Sequence, residues 1–240
     1  MSVFRSIVLS SVVVGLIAGG AITVVQQFGT VPLIQKAEVF EEAAEKAAPS
    51  SVAHEHSAAS TPGAAHEHPA AAWEPKPGLE RNAYTALANM LTATGFALML
   101  AGIFALRGRS VDWREGLLWG LGGFAVFTLA PGLGLPPELP GIPAAGLESR
   151  QLWWIATAAS TAGGLALLVF KRALWAAALG FGLIVLPHLV GAPQLADAHT
   201  NVPEALSRQF VTAVTLTSLV FWALLGPLTA VVQRRFARGA

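Results

Sequence analysis

The chain contains no cysteine. Disulfides, thiolate metal sites, cysteine nucleophiles and iron–sulfur clusters are therefore excluded, and any bound metal must be held by nitrogen and oxygen. Charge is nearly as scarce: Asp, Glu, Lys and Arg make up 12% of the 240 residues, against 54% apolar. A soluble domain carries roughly 25% charged residues, so the deficit points to a chain whose solvent is largely lipid. No GxxxxGK[ST] loop occurs, which argues against nucleotide hydrolysis by a P-loop. HExxH and GxSxG are also missing, so protease and esterase chemistry are disfavoured. The long apolar runs lack acidic or basic groups at depth, which proton relays and ion-coupled carriers usually need. The chain reads as a non-enzyme, with no permanently bound cofactor.

Six apolar runs remain, and they predict an all-α fold: a polytopic membrane helix bundle with about six transmembrane helices. Ile7 to Val25 is uncharged and long enough to cross the bilayer. Arg5 and the small residues Ala18-Gly19-Gly20 also fit a cleaved signal, but the run continues past them, so a retained helix is expected. Gly15 and Gly19 form a GxxxG that admits a second helix at close range. Further spans are expected at Ala83 to Leu106, Leu117 to Leu135 and Gln151 to Phe170, then one ending near Pro187 and one from Phe210 to Val232. Gly116, Gly120, Gly122 and Gly123 give the third span a small-residue face. Thus 1–28 is the first transmembrane helix, 29–82 an acidic and His-rich loop, and 83–240 a five-helix bundle.

Between the first two spans, Pro32 to Ala48 has the spacing of a short helix with a solvated acidic stripe at Glu38, Glu41, Glu42 and Glu45. A low-complexity segment follows, bearing His54-Glu55-His56 and His66-Glu67-His68. In extended chain, residues i and i+2 point the same way, so each His-x-His is a two-point claw for a borderline divalent ion. The plainer reading is a solvated linker with incidental histidines. Near the fifth span's end, His188 lies close in sequence to Asp197 and His199. Carboxylate and imidazole are compatible metal ligands, although a lone His there is more often a hydrogen-bonded interfacial residue. Pro131 to Pro143 is too rich in proline and glycine to continue a helix, and a stiff connector with Glu138 at its middle is expected. Asn89, Thr92, Thr94, Thr128, Ser160, Thr161, Thr212, Thr215, Thr217 and Ser218 are the main polar groups in the spans. Most are expected to bond between helices, and a few to line a path.

With the N-terminus inside, the inner segments hold Arg5, Arg107, Arg109, Arg114, Lys171, Arg172, Arg234, Arg235 and Arg238, as the positive-inside rule expects. Both termini are then cytoplasmic, and all six histidines face outward. An acidic, imidazole-rich outer face would gather divalent cations there, which suits uptake better than export.

Several motifs resemble the CbtA family, the predicted cobalt transporter subunits of bacteria. They are Gln26-Gln27 with Pro32-Leu33-Ile34 and Ala37-Glu38, Trp73-x-Pro75 with Glu80-Arg81, Leu135-Pro136-Pro137-Glu138-Leu139-Pro140-Gly141, Arg150-Gln151-Leu152-Trp153-Trp154, and Leu186-Pro187-His188-Leu189-Val190-Gly191-Ala192-Pro193. The resemblance implies a multi-span protein of the bacterial inner membrane, acting in cobalt uptake for cobalamin synthesis with a small single-span partner, CbtB. It marks Glu138, Arg150, His188 and the loop histidines as site candidates. The expected metal ligands are therefore His54, His56, His66, His68, His188, His199, Glu138 and Asp197. The alternatives are a non-transporting metal-sensing or assembly subunit, and a membrane redox or haem protein. The haem reading suffers because only His188 lies near enough to a span to be an axial ligand.

Overall fold

The computed structural model describes residues 3–47, 75–195 and 200–238, and these contain helices and no strand. Seven helices follow in order: α1 Val3–Phe28, α2 Val31–Ala47, α3 Leu79–Leu106, α4 Trp113–Gly134, α5 Leu147–Phe170, α6 Leu174–Val190 and α7 Glu204–Arg238. Helices α1, α3, α4, α5 and α7 are each long and apolar enough to cross a membrane. α6 is apolar but only 17 residues long, about 25 Å at 1.5 Å per residue. That is the lower limit for a span of ~30 Å hydrocarbon.

Lipid offers no hydrophobic drive between helices, so packing rests on close backbone approach. Three antiparallel pairs achieve it with glycine. A Cβ on Gly15 would lie 1.9 Å from Thr94 Oγ1, and one on Gly19 would lie 2.5 Å from Met90 Cα. On α4, a Cβ at Gly120 would sit 2.2 Å from the Trp222 carbonyl oxygen of α7. On α5, a Cβ at Gly164 would sit 2.5 Å from the Gly180 oxygen of α6. Gly122, by contrast, faces open space, so only part of the third span's glycine face is used. The central core joins Val14, Leu100, Phe104, Trp222 and Leu225 from α1, α3 and α7.

Pro131 lies inside α4 rather than ending it. Proline has no N–H, and its ring crowds the carbonyl four residues back. The chain resolves the conflict with a π turn over Ala125–Leu129, closed by the Ala130 N–H donating to the Ala125 oxygen. Helical structure then continues to Gly134.

The contacts sort the helix ends into two layers. Val3, Arg109 and Arg234 come together around one cavity, marking the end that bears the α3–α4 turn. At the opposite end α2 lies against the connectors. Ala37 and Leu139 are 0% and 2% exposed and pack with Val202, Leu206 and Phe210. The acidic helix is thus more than a solvated stripe, because Glu38 is ion-paired with Arg81 of α3. Its apolar face caps the bundle.

Candidate functional site

Glu138 and His188 fall among the described residues, whereas His54, His56, His66, His68, Asp197 and His199 lie outside them. Leu139, buried beneath α2, anchors the connector that carries Glu138. The Glu138 carboxylate accepts from Arg150 Nη2 at 2.8 Å, in the first turn of α5. One turn on, Trp153 Nε1 donates to the Pro187 carbonyl oxygen at 3.2 Å. Its ring meets His188 edge to face, with centroids 5.9 Å apart. α5 therefore fixes both candidates through neighbouring side chains. Among the described residues, no three of His, Asp and Glu form a metal-sized cluster.

The connector is also stitched to the α6–α7 segment. Gln194 Nε2 donates to the Gly134 oxygen at 3.1 Å, and the Thr200 hydroxyl donates to the Gly141 oxygen at 2.9 Å. Gly141 has φ +77°, a conformation that L side chains rarely adopt. A larger residue there would strain the turn that presents this oxygen.

Trp154, the next residue, turns toward a second feature. A crevice of about 230 Å³ opens among α1, α3, α4, α5 and α7, lined by Gln26, Asn89, Thr92, Thr128, Thr217 and Ser218. Its other walls include Phe96, Phe127, Trp154, Phe221 and Trp222. Phe127, within the π turn, stacks on Trp222 at 5.6 Å. Such turns recur at functional sites because they re-aim side chains on a helix.

Hydrogen bonding separates the polar residues into two groups. Thr94, Thr212 and Thr215 donate to the carbonyl four residues back, and Ser160 to the one three back. Those hydroxyls are self-satisfied. Thr161 is buried with no partner among the described residues. Thr92, Thr128, Thr217 and Ser218 face the crevice and make no side-chain hydrogen bond among the described residues.

Asn89 is held by α1. Its Nδ2 donates to Thr23 Oγ1 at 2.9 Å and to Gln26 Oε1 at 2.7 Å. Thr23 in turn donates to the Gly19 oxygen at 2.8 Å, which fixes its hydroxyl as the acceptor from Asn89. Both amide hydrogens are thereby used, and Oδ1 is left as an acceptor without a protein donor among the described residues. The result is a set of neutral oxygens facing one crevice inside the bundle. Neutral oxygen can replace some hydration waters of a cation without trapping it. Full dehydration of a divalent ion would be too costly there, so an ion entering such a crevice would keep several waters.

Sequence reasoning named five of these six polar residues but could not separate them from their self-bonded neighbours. In the sequence Gln26 stands out only through the Gln26-Gln27 motif, although its i+3 relation to Thr23 is visible there.

No curated protein and no solved structure matches the chain. The profile of one family, described as probable cobalt transporter subunit (CbtA), matches residues 4–234. Nearly the whole chain is covered, including every helix around the crevice and the connector that carries Glu138. This multi-pass membrane protein belongs to the CbtA family of probable cobalt transporter subunits.

Proposed function

We propose that the protein is the permeation subunit of a cobalt importer in the bacterial inner membrane, with both termini cytoplasmic. His54, His56, His66 and His68 capture the ion outside. His188, Glu138, Asp197 and His199 receive it at the bundle mouth. From there it descends, partly hydrated, past Asn89, Thr92, Thr128, Thr217 and Ser218. The reading makes the chain a transporter rather than an enzyme, with cobalt as cargo and a small single-span subunit as its partner.

The observation that carries this reading is the crevice, with four unbonded hydroxyls and the Asn89 acceptor. It adjoins the helix that holds Glu138 and His188, since Trp153 touches His188 while Trp154 lines the crevice. Nitrogen and oxygen ligands suit cobalt(II), and they also suit nickel and zinc, so ligand type alone does not set selectivity.

The test is uptake of radiolabelled cobalt into vesicles that hold this chain, with and without the single-span partner. Inward flux lost on substituting Thr217 by valine, in a variant that still folds, supports permeation through the crevice. Cobalt binding without flux under either condition would replace this reading with that of a metal-sensing or assembly subunit. Deleting Ala53 to His68 should reduce uptake chiefly at low metal, and an unchanged rate at every concentration would return that tract to a linker.

A further inference from the structure

A second cavity lies at the opposite end from the Glu138 connector. It occupies about 320 Å³ between the start of α1, the α3–α4 turn and the last turns of α7. Ligand pockets begin at roughly 300 Å³. Its inner wall is apolar, made by Phe104, Val111 and Ala230, while Arg109, Ser110 and Arg234 stand at its rim.

The charges at the rim are not neutralised locally. Glu115 accepts from both Arg107, at 2.6 Å, and Arg109, at 2.7 Å, so one carboxylate serves two guanidinium groups. Arg107 is further occupied by the Trp119 ring, 5.3 Å from its centroid. Arg109 is 60% exposed and keeps donors beyond that ion pair. Arg234 has no acidic partner among the described residues. Deeper in, Ser6 is 5% exposed, and its hydroxyl has no hydrogen-bond partner among the described residues. Gln233 is held in place by donating to the Ala101 oxygen at 3.0 Å.

We propose that this cavity is a binding site for one anionic phospholipid. The phosphate sits between Arg234 and Arg109, and the upper acyl chain lies against Phe104, Val111 and Ala230. A guanidinium presents a planar fork that matches phosphate oxygens. The cavity opens at a helix end, where headgroups lie, and its apolar depth suits hydrocarbon rather than water. Charge complementarity selects the anionic class: Arg109 shares the Glu115 carboxylate with Arg107, and Arg234 has no acidic partner among the described residues, so the rim carries an excess of positive charge that favours a net negative headgroup. A zwitterionic lipid brings its own ammonium, which these arginines repel. The site is independent of the metal route, being lined by the other ends of α1, α3 and α7.

The test uses the full chain in lipid nanodiscs containing equal phosphatidylglycerol and phosphatidylethanolamine of identical acyl chains. Retained lipid is then counted by native mass spectrometry. One phosphatidylglycerol should be retained in preference to phosphatidylethanolamine by roughly tenfold. Arg234→Gln with Arg109→Gln should abolish that preference, and Ala105→Trp, at a small residue of the cavity lining, should block retention by filling the space. Size-exclusion and melting profiles check that each variant folds. If the double variant does not, Arg109→Gln alone, at the more exposed position, must still reduce the preference. Equal retention of both lipids, or unchanged retention in folded variants, would overturn the proposal. Displacement by millimolar inorganic phosphate without retention of lipid would reduce the cavity to a simple anion site and overturn it too.

Discussion

Trp153 Nε1 donates to the Pro187 carbonyl oxygen at 3.2 Å, tying the first turns of α5 to the last turns of α6. The same carbonyl accepts from the Gly191 N–H at 3.0 Å, so two donors converge where α6 ends. The indole is thus a second donor to a carbonyl in the last turn of α6, where backbone oxygens run short of intrahelical partners. Because the Trp153 ring also meets His188, this one side chain sets both the helix terminus and the imidazole's position.

Trp153→Phe keeps an aromatic ring and removes the donor. A neutral hydrogen bond contributes about 0.5–1.5 kcal/mol net. The melting temperature in detergent should therefore fall modestly. Cobalt uptake should fall further than stability accounts for, because His188 loses its fixed neighbour. Equal effects of Trp153→Phe and Trp153→Ala on uptake would show that the hydrogen bond, and not the ring, is what matters.

The Glu138–Arg150 pair leads to a second expectation. Both side chains are about 30% exposed, and such a pair is worth only ~0.2–1 kcal/mol. In the proposed uptake route, the pair would matter less for stability than for holding the carboxylate away from a cation. Arg150→Gln should release Glu138 and tighten cobalt binding at the mouth, whereas Glu138→Gln should weaken it. Neighbouring groups that orient a ligand commonly alter metal affinity by roughly 10–100-fold. Calorimetric titration of both variants with cobalt would measure the opposed shifts.

The α4–α7 contact predicts a stability effect remote from the metal route. A Cβ on Gly226 would lie 2.1 Å from the Gly116 carbonyl oxygen, a backbone atom that cannot move away cheaply. Overpacking of this kind costs about 1–3 kcal/mol. Gly226→Ala should lower the melting temperature clearly, while Gly122→Ala, which faces open space, should leave it nearly unchanged. Paired thermal unfolding in the same detergent compares them.

Much of this architecture was legible in the sequence. Uncharged runs reveal spans because every backbone group in lipid must be satisfied within a helix. The GxxxG at Gly15 and Gly19 likewise foretold a close neighbour, found in α3. The cap at the other end was not legible. Ala37, Leu139 and Val202 come from three separate segments, and although Leu33, Ile34, Ala37 and Phe40 recur on one helical face of α2, that spacing does not say which segments cover it. The continuation of α4 through Pro131 was hidden as well, because the π turn that makes room for it has no residue signature of its own. The crevice failed for a related reason. Whether a threonine bonds its own helix or faces a cavity depends on what packs opposite, which intrahelical spacing does not encode.

Asn89 offers the sharpest test of that crevice. Asn89→Leu removes the donor shared by Thr23 and Gln26 and also the Oδ1 acceptor, so structural and functional losses are mixed. Asn89→Asp separates them. The carboxylate cannot donate to α1, yet it places a negative charge where the neutral oxygens line the cavity. A permeating divalent cation should then bind more tightly and leave more slowly, since conduction needs sites weak enough to release the ion. Cobalt flux should drop in both variants, with retained cobalt rising only in Asn89→Asp. Equilibrium binding and vesicle flux measured on the same preparations read the two quantities separately. Loss of flux in Asn89→Asp without any gain in retained cobalt would assign Asn89 to helix packing and move the ion's path elsewhere in the bundle.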